Sequence, residues 1–299
     1  MKAIVALVFL AAASPALAED PVLVGAGDIA DCTQLEGAAK TAALLDNVAG
    51  TVFTLGDNAY SSGTPQQFAD CYGKTWGRHK ARTRPAAGNH DYRTPYASGY
   101  FAYFGAAAGE PGQGWYGYDV GAWHVVVLNS NCTEVGGCQR GSRQEKWLRE
   151  DLAAHPAPCV AAMWHHPRFS SGAEHGDDPT VRDLWTALTD AGADLVVAGH
   201  EHVYERFAPQ TADGEADPRR GLRAFTVGTG GRELYAWGRI RPNSEIRDNK
   251  TFGVLKLTLH PDSYDWEFLP VEGGTFTDSG TAKCHAKAAV PRQETEAGR

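Results

Sequence analysis

The chain has 299 residues, which is long enough to bury a large core in one domain or at most two. Its formal net charge at pH 7 is −8, and an acidic chain of this kind is a poor binder of nucleic acid or of other polyanionic surfaces. Its apolar runs are too short to span a membrane, so we expect no membrane span.

The first eighteen residues are typical of a secretory signal. Lys2 supplies the positive n-region, residues 4–13 form the apolar core, and Ala16-Leu17-Ala18 is a small-residue cleavage site. We therefore expect residues 1–18 to be a signal peptide, a mature chain beginning near Glu19, and a secreted or periplasmic location. The alternative is an uncleaved anchor or a first core strand.

Six cysteines, an even number, follow this leader and favour disulfides over metal ligands or nucleophiles. Cys132 and Cys138 could close a small loop through Gly136-Gly137. Pairing Cys32 with Cys71 and Cys159 with Cys284 is then one of many possible connectivities. The sequence contains no Cys-x-x-Cys pair, which disfavours a cysteine zinc site.

Predicted strands and helices alternate in the first third of the chain. The periodicity predicts strands at 22–27, 51–55 and 84–87, a helix at 35–48, and a helix starting at 63–65 and running through Phe68. The basic stretch 78–84 is either a solvated connection or a positive rim that attracts an anionic substrate. Residues 92–118 are rich in Tyr, Gly, Ala and Phe without a clean period, so we predict a packed loop region there.

The remainder continues in the same alternating pattern. Two sequential strands are predicted near 115–118 and 123–128, and further strands at 159–164, 194–198, 222–227, 252–259 and 264–269. Helices are predicted at 142–154, where Ser142 and Glu145 fit a capping box, and at 180–191, which Gly192 ends. We expect one catalytic domain over residues 19–284 and a disordered tail over 285–299.

Five of the predicted strands end in side chains of the metal-ligand type. Because the carboxyl ends of strands in an α/β sheet gather at one edge, these side chains can converge although they are distant in sequence. Carboxylate, amide, phenol and imidazole groups together suit Fe, Mn or Zn. The candidate metal ligands are Asp28, Asp57, Tyr60, Asn89, His165, His200 and His202.

The order of these motifs resembles that of calcineurin-like metallophosphoesterases. The matching segments are Gly27-Asp28, Gly56-Asp57-Asn58, Gly88-Asn89-His90-Asp91, His165 and Gly199-His200-Glu201-His202. Tyr60, three residues after Asp57, makes the match closer to the purple acid phosphatase branch. The resemblance covers residues 22–269 and implies a four-layer α/β/β/α sandwich of two mostly mixed sheets flanked by helices, with the active site at the strand carboxyl ends.

The resemblance also implies two metal ions that share the Asp57 carboxylate. One ion would be held by Asp28, Asp57, Tyr60 and His202, and the other by Asp57, Asn89, His165 and His200. A phenolate ligand favours Fe(III), paired with Fe, Zn or Mn. His90 would assist as an acid or a stabiliser of phosphoryl charge, and His175 would bind substrate. His166 is a candidate for supporting a metal ligand rather than being one.

The implied function is an exported phosphoric ester hydrolase, acting on a small phosphorylated substrate by attack of a metal-bound hydroxide. One departure from the family pattern is Asp28-Ile29-Ala30, where the family has Asp-x-Gly; we expect metal binding to survive it. Three alternatives remain. The protein binds metal with little or no turnover, it is a phosphodiesterase or nucleotidase of the same superfamily, or residues 25–30 (G-x-G-x-x-A) bind a dinucleotide.

Overall fold

The computed structural model describes residues 19–286, so the predicted signal peptide and nearly all of the predicted tail lie outside the described range. The long strands form a six-stranded and a seven-stranded sheet, and two short strands pair separately. The strands are β1 Val22–Ala26, β2 Ala30–Asp31, β3 Thr51–Leu55, β4 Ala59–Tyr60, β5 Thr83–Ala86, β6 Tyr116–Val120, β7 Trp123–Val127, β8 Cys159–Met163, β9 Leu195–Ala198, β10 Tyr204–Gln210, β11 Leu222–Val227, β12 Ser244–Asp248, β13 Gly253–Leu259, β14 Ser263–Pro270 and β15 Ser279–Lys283.

Both large sheets are mixed: the parallel strands form one side of the first sheet and the centre of the second. The first sheet has the order β15-β14-β13-β1-β3-β5, in which β1, β3 and β5 are parallel. The second has the order β12-β10-β11-β9-β8-β7-β6, in which β7, β8, β9 and β11 are parallel. The parallel strands carry the site because their carboxyl ends meet at one edge of each sheet.

The two sheets pack face to face through large apolar side chains. Aromatic pairs join them directly, with ring centroids 5.8 Å apart for Phe225 and Trp266 and 4.6 Å apart for Tyr204 and Phe268. Strand β7 is buried on both faces, because Val125 belongs to the core between the sheets and Val126 to the core beneath the outer helices. A strand covered on both sides is mostly apolar, and β7 is apolar except at His124.

Helices cover the outer faces of the sheets. The α-helices are α1 Glu36–Asp46, α2 Pro65–Gln67, α3 Ser98–Phe104, α4 Arg143–Ala154 and α5 Arg182–Asp190. Helix α1 buries Ala38, Ala42 and Leu45 in the same core as the first sheet, and α4 and α5 bury Leu148 and Leu184 in the core on the second sheet. The predicted sandwich of two mixed sheets with flanking helices is confirmed.

Several predicted elements need correction. Residues 92–118 contain helix α3 as well as loops, and the region after α2 forms a π-helical turn at Phe68–Tyr72 rather than continuing as an α-helix. The capping box of α4 is only half formed: the Ser142 hydroxyl accepts from the Glu145 N–H, but the Glu145 carboxylate accepts from Gly141 instead. Strands β10, β12 and β15 were not predicted.

The three disulfides are Cys32–Cys71, Cys132–Cys138 and Cys159–Cys284, which confirms the proposed pairing. Among the described residues no helix is long and apolar enough to cross a membrane. The basic stretch does not face the strand carboxyl ends. Arg78 pairs with Asp46, and Arg82 donates to the carbonyls of Leu45 and Gly50.

Candidate metal centre

The structure brings all seven candidate ligands together. Backbone hydrogen bonds join the loop after β1 to the loop after β3, because the amides of Asp28, Ile29 and Ala30 donate to the carbonyls of residues 56–58. Strands β2 and β4 continue this ladder, pairing Ala30 with Ala59. Alanine at position 30 is thus accommodated as a buried strand residue, and Asp28 and Tyr60 are held side by side.

One half of the centre is formed by Asp28, Tyr60 and His202. The Tyr60 hydroxyl lies 2.9 Å from Asp28 Oδ1 and 3.1 Å from His202 Nε2, and His202 Nε2 lies 3.4 Å from Asp28 Oδ1. All three side chains are nearly inaccessible to solvent. Three donor atoms of different chemistry therefore face one small, shielded volume.

The other half is formed by Asp57, Asn89, His165 and His200. His165 Nε2 is 2.9 Å from Asn89 Oδ1, 3.1 Å from His200 Nδ1 and 3.4 Å from Asp57 Oδ1. Asp57 also lies beside the first half, because its carboxylate is within 4.8 Å of the Asp28 carboxylate. Asp57 therefore lies between the two groups of side chains.

Two histidines of the centre, His165 and His202, are hydrogen-bonded to main-chain carbonyls, which leaves the other ring nitrogen of each free to bind a metal ion. His165 Nδ1 lies 2.6 Å from Leu55 O, and His202 Nδ1 lies 2.7 Å from Glu233 O. A carbonyl only accepts, so each Nδ1 must carry the proton and each Nε2 presents a lone pair to the centre. Among the described residues, Asp28, Asp57 and His165 place their ligand atoms within 4.8 Å of one another, as do His165, His166 and His200.

Burial shifts the protonation equilibria of the centre. Burial raises the pKa of the Tyr60 phenol well above its ordinary value, and the facing Asp28 and Asp57 carboxylates add to the rise. Burial is the largest single influence on the pKa of His202 and lowers it, but the attraction and hydrogen bond of Asp28, the Glu233 carbonyl and the attraction of Asp57 together raise that pKa overall. A phenol in this setting loses its proton only when a strong cation replaces it.

The backbone at the centre is held in rarely populated conformations. Asp28, Asp57 and His200 have φ angles of 61°, 51° and 69°, in the left-handed region. Non-glycine residues seldom occupy this region, and they do so where the surroundings fix them, commonly at functional sites. Gly88 is required by close approach, because a Cβ there would lie 2.1 Å from Asp57 Oδ1.

The two predicted catalytic histidines lie at the rim. The backbone N–H of His90 donates to Asp57 Oδ1 over 2.8 Å, and the ring nitrogen Nδ1 of His90 is 2.7 Å from the carbonyl oxygen of Ser61. Burial lowers the pKa of His90 despite the attraction of Asp57. His175 stacks on the candidate ligand His200 with ring centroids 4.0 Å apart. The catalytic role of His90 and the substrate-binding role of His175 stay predictions.

Three further residues shape the centre and were not predicted. The fully buried Glu201 carboxylate accepts the backbone N–H groups of His175 and Gly176 over 2.6 Å each. Tyr235 stacks on His202 with centroids 3.9 Å apart, and the Arg232 guanidinium lies 5.2 Å from the centre of the Tyr60 ring. One signal for Glu201 was present in the sequence: if the Gly-His-Glu-His segment is treated as extended, the residue between the two histidines is predicted to point away from them.

The predicted dinucleotide site does not form. Strand β1 leads into the metal-type residue Asp28 and then strand β2, and helix α1 begins only at Glu36. A dinucleotide fingerprint needs a helix N-terminus directly after the glycine turn to bind pyrophosphate. Asp28 instead turns its carboxylate toward Tyr60 and His202.

Comparison with known proteins gives consistent results. Residues 19–204 match the family model described as calcineurin-like phosphoesterase. Purple acid phosphatase 22 of Arabidopsis thaliana is 32% identical over 153 residues, which cover 48% of this chain and 34% of that protein. The chain therefore spans about a third of the length of the curated relatives that it matches.

Solved structures share the fold. Purple acid phosphatase PPD1 from yellow lupin (Lupinus luteus) seeds superposes with a TM-score of 0.74 at 20% identity, covering 89% of this chain and 54% of the lupin chain. GAP50, described as the anchor in the inner membrane complex of Plasmodium, superposes with a TM-score of 0.66 at 15% identity, covering 90% of both chains. At these identities the likeness concerns the fold alone.

Proposed function

This chain belongs to the calcineurin-like phosphoesterase family, and on that premise we propose that it is a phosphatase that hydrolyses phosphate esters at a centre of two metal ions. The observation that carries the proposal is the shared position of Asp57, whose carboxylate lies within 4.8 Å of the Asp28 carboxylate on one side and 3.4 Å from His165 Nε2 on the other. Two cations at close range need an anion between them, and a carboxylate offers two oxygens.

In the proposed site, each protein group has a distinct task. Asp28, Asp57, Tyr60 and His202 would hold one ion, and Asp57, Asn89, His165 and His200 the other. When bound, such a pair of ions supplies activated water and neutralises phosphoryl charge. The phenol of Tyr60 supports Fe(III) at the first position, with Fe, Zn or Mn at the second.

The rim histidines would act on the substrate itself. His90, fixed by its Nδ1 contact to Ser61 O, would present Nε2 to the phosphoryl group or to the leaving oxygen. His175, which stacks on the candidate ligand His200, would contact the phosphoryl group next to that ligand. The three disulfides support an exported protein. The family match supports a small phosphorylated substrate.

Substitution of the candidate ligands tests the proposal. We expect Asp57→Asn and His202→Ala to lose bound metal and nearly all turnover of p-nitrophenyl phosphate. His155→Ala is the matched control, because His155 lies just before the amino end of β8, at the opposite end of the strand from His165. Turnover and metal content like those of the wild type in both ligand variants would refute the proposal.

A second candidate function is an exported metal-binding protein with little or no turnover. The replacement of the family glycine by Ala30 is the observation that favours it. A phosphodiesterase or nucleotidase also remains a candidate, since the loops decide the choice of ester. Metal analysis combined with assays of mono- and diesters separates the three: metal without hydrolysis of either ester would favour the binding protein.

A further inference from the structure

A polar cavity of about 420 Å³ opens beside the candidate ligand Asn89. We propose that this cavity receives the alcohol part of the substrate, that the alcohol is hydroxyl-rich and carries no further negative charge, and that His166 donates a hydrogen bond to it. The proposal rests on the proposed function and adds the class of leaving group. The proposal rests on six residues that line the cavity: Asn89, Arg93, Ser130, Glu134, His166 and Asp178.

The Ser130 hydroxyl determines which nitrogen of His166 carries the proton. Ser130 Oγ accepts the backbone N–H of His165 at 3.3 Å and of His166 at 2.9 Å, which occupies both of its lone pairs. Its own hydrogen is then left for His166 Nδ1, 2.8 Å away. Since Nδ1 accepts, the neutral ring of His166 must carry its proton on Nε2, and Nε2 is a donor.

The position of His166 brings this donor to the boundary between the metal centre and the cavity. Its ring centroid is 4.3 Å from that of His200 and 4.8 Å from that of His165. Because Nδ1 is engaged with Ser130, Nε2 is the ring nitrogen available to a molecule in the cavity. An ester whose phosphoryl group sits at the centre would place its alcohol next to this N–H.

The charges around the cavity select the kind of alcohol. Two acidic residues, Glu134 and Asp178, and one basic residue, Arg93, line the cavity. A second phosphate or a carboxylate on the substrate would be repelled by this excess of negative charge. Carboxylates accept hydrogen bonds well from hydroxyl groups. Glu134 lies in the short loop closed by Cys132–Cys138, which fixes that wall of the cavity.

Selectivity between substrates with different leaving groups tests the proposal. The probes are glucose 6-phosphate, fructose 1,6-bisphosphate and p-nitrophenyl phosphate, assayed with the metal-loaded full chain. The ratio of kcat/KM for glucose 6-phosphate to that for p-nitrophenyl phosphate should fall about tenfold in His166→Leu. It should fall less than about threefold in His166→Gln, whose amide N–H can replace Nε2–H. His155→Leu is the matched control for loss of a histidine.

A second variant tests the charge argument independently. Glu134 is exposed, so Glu134→Lys should fold, and it should raise kcat/KM for fructose 1,6-bisphosphate relative to glucose 6-phosphate about tenfold. Ratios unchanged in both His166→Leu and Glu134→Lys would overturn the proposal. If the wild type hydrolyses none of the probes, the proposed function fails. Calorimetry then tests whether the cavity binds the alcohol part of the substrate. Glucose 6-phosphate must bind more tightly than inorganic phosphate, and equal affinity overturns the proposal.

Discussion

Replacing Glu201 by leucine would remove the buried anchor of the loop that carries His175. One carboxylate oxygen accepts two N–H groups, from His175 and Gly176, each at 2.6 Å. Hydrogen bonds to a charged acceptor contribute roughly 1.5–3 kcal/mol each. The other oxygen has no hydrogen-bond partner in the described chain, so burial of the charge already costs free energy. We therefore expect the loss of global stability to be smaller than the sum of the two bonds.

We expect Glu201→Leu to lower activity as well as stability. If His175 no longer stacks on His200, its contact to the phosphoryl group is lost, which is one charge-assisted hydrogen bond of roughly 1.5–3 kcal/mol. That corresponds to a fall in kcat/KM of about 10- to 150-fold, with both metals retained. Gly172→Ala should act in the same direction, because a Cβ at residue 172 would lie 2.3 Å from the Glu201 carboxylate.

A double-mutant cycle with His175→Ala separates the two explanations. The assay is kcat/KM for p-nitrophenyl phosphate together with metal content and thermal unfolding, with Glu215→Leu as the exposed control. If Glu201 acts through His175, the double variant is about as active as His175→Ala alone. Additive losses, or loss of metal from Glu201→Leu, would refute the reasoning.

Three further outcomes are expected. Tyr60→Phe should abolish the visible charge-transfer band of the iron-loaded protein, and a band that persists would exclude a phenolate–Fe(III) bond. Cys159→Ser should lower the free energy of unfolding by about 5 kcal/mol, because its disulfide joins residues 125 apart in sequence. Cys132→Ser should lower it by only about 2 kcal/mol, because that disulfide joins residues six apart. Equal losses in denaturant titrations would contradict this argument from chain entropy. His124 lies between Asp119 and Asp151 at 2.6 and 2.7 Å; burial lowers its pKa, but the bonds to Asp151 and Asp119 outweigh burial and raise it overall. The stabilisation from this pKa shift is complete below the ordinary histidine pKa and is lost as pH rises through the raised pKa. Asp151→Asn should therefore lower the free energy of unfolding more at about pH 5 than at about pH 9. A loss that does not depend on pH would refute this prediction.

Much of the fold could be predicted because its signals are local. Strand β3 was predicted with the correct bounds from five apolar or β-branched residues, and glycine after it indicated a turn at the carboxyl end. Edge strands were missed for the corresponding reason: β12 and β15 are polar and half exposed, so their sequences lack an apolar alternation. Their existence depends on pairing with β10 and β14.

The sequence by itself determined which chemical groups can gather at the strand ends, since each motif combines a buried strand with a ligand-type residue. Only the tertiary structure decided how those groups are oriented. The carbonyls of Leu55 and Glu233 make Nε2 the free nitrogen of His165 and His202, and Glu201 reaches a loop 26 residues away. Periodicity is set by neighbours along the chain, whereas hydrogen-bond partners such as these meet only when both sheets have formed.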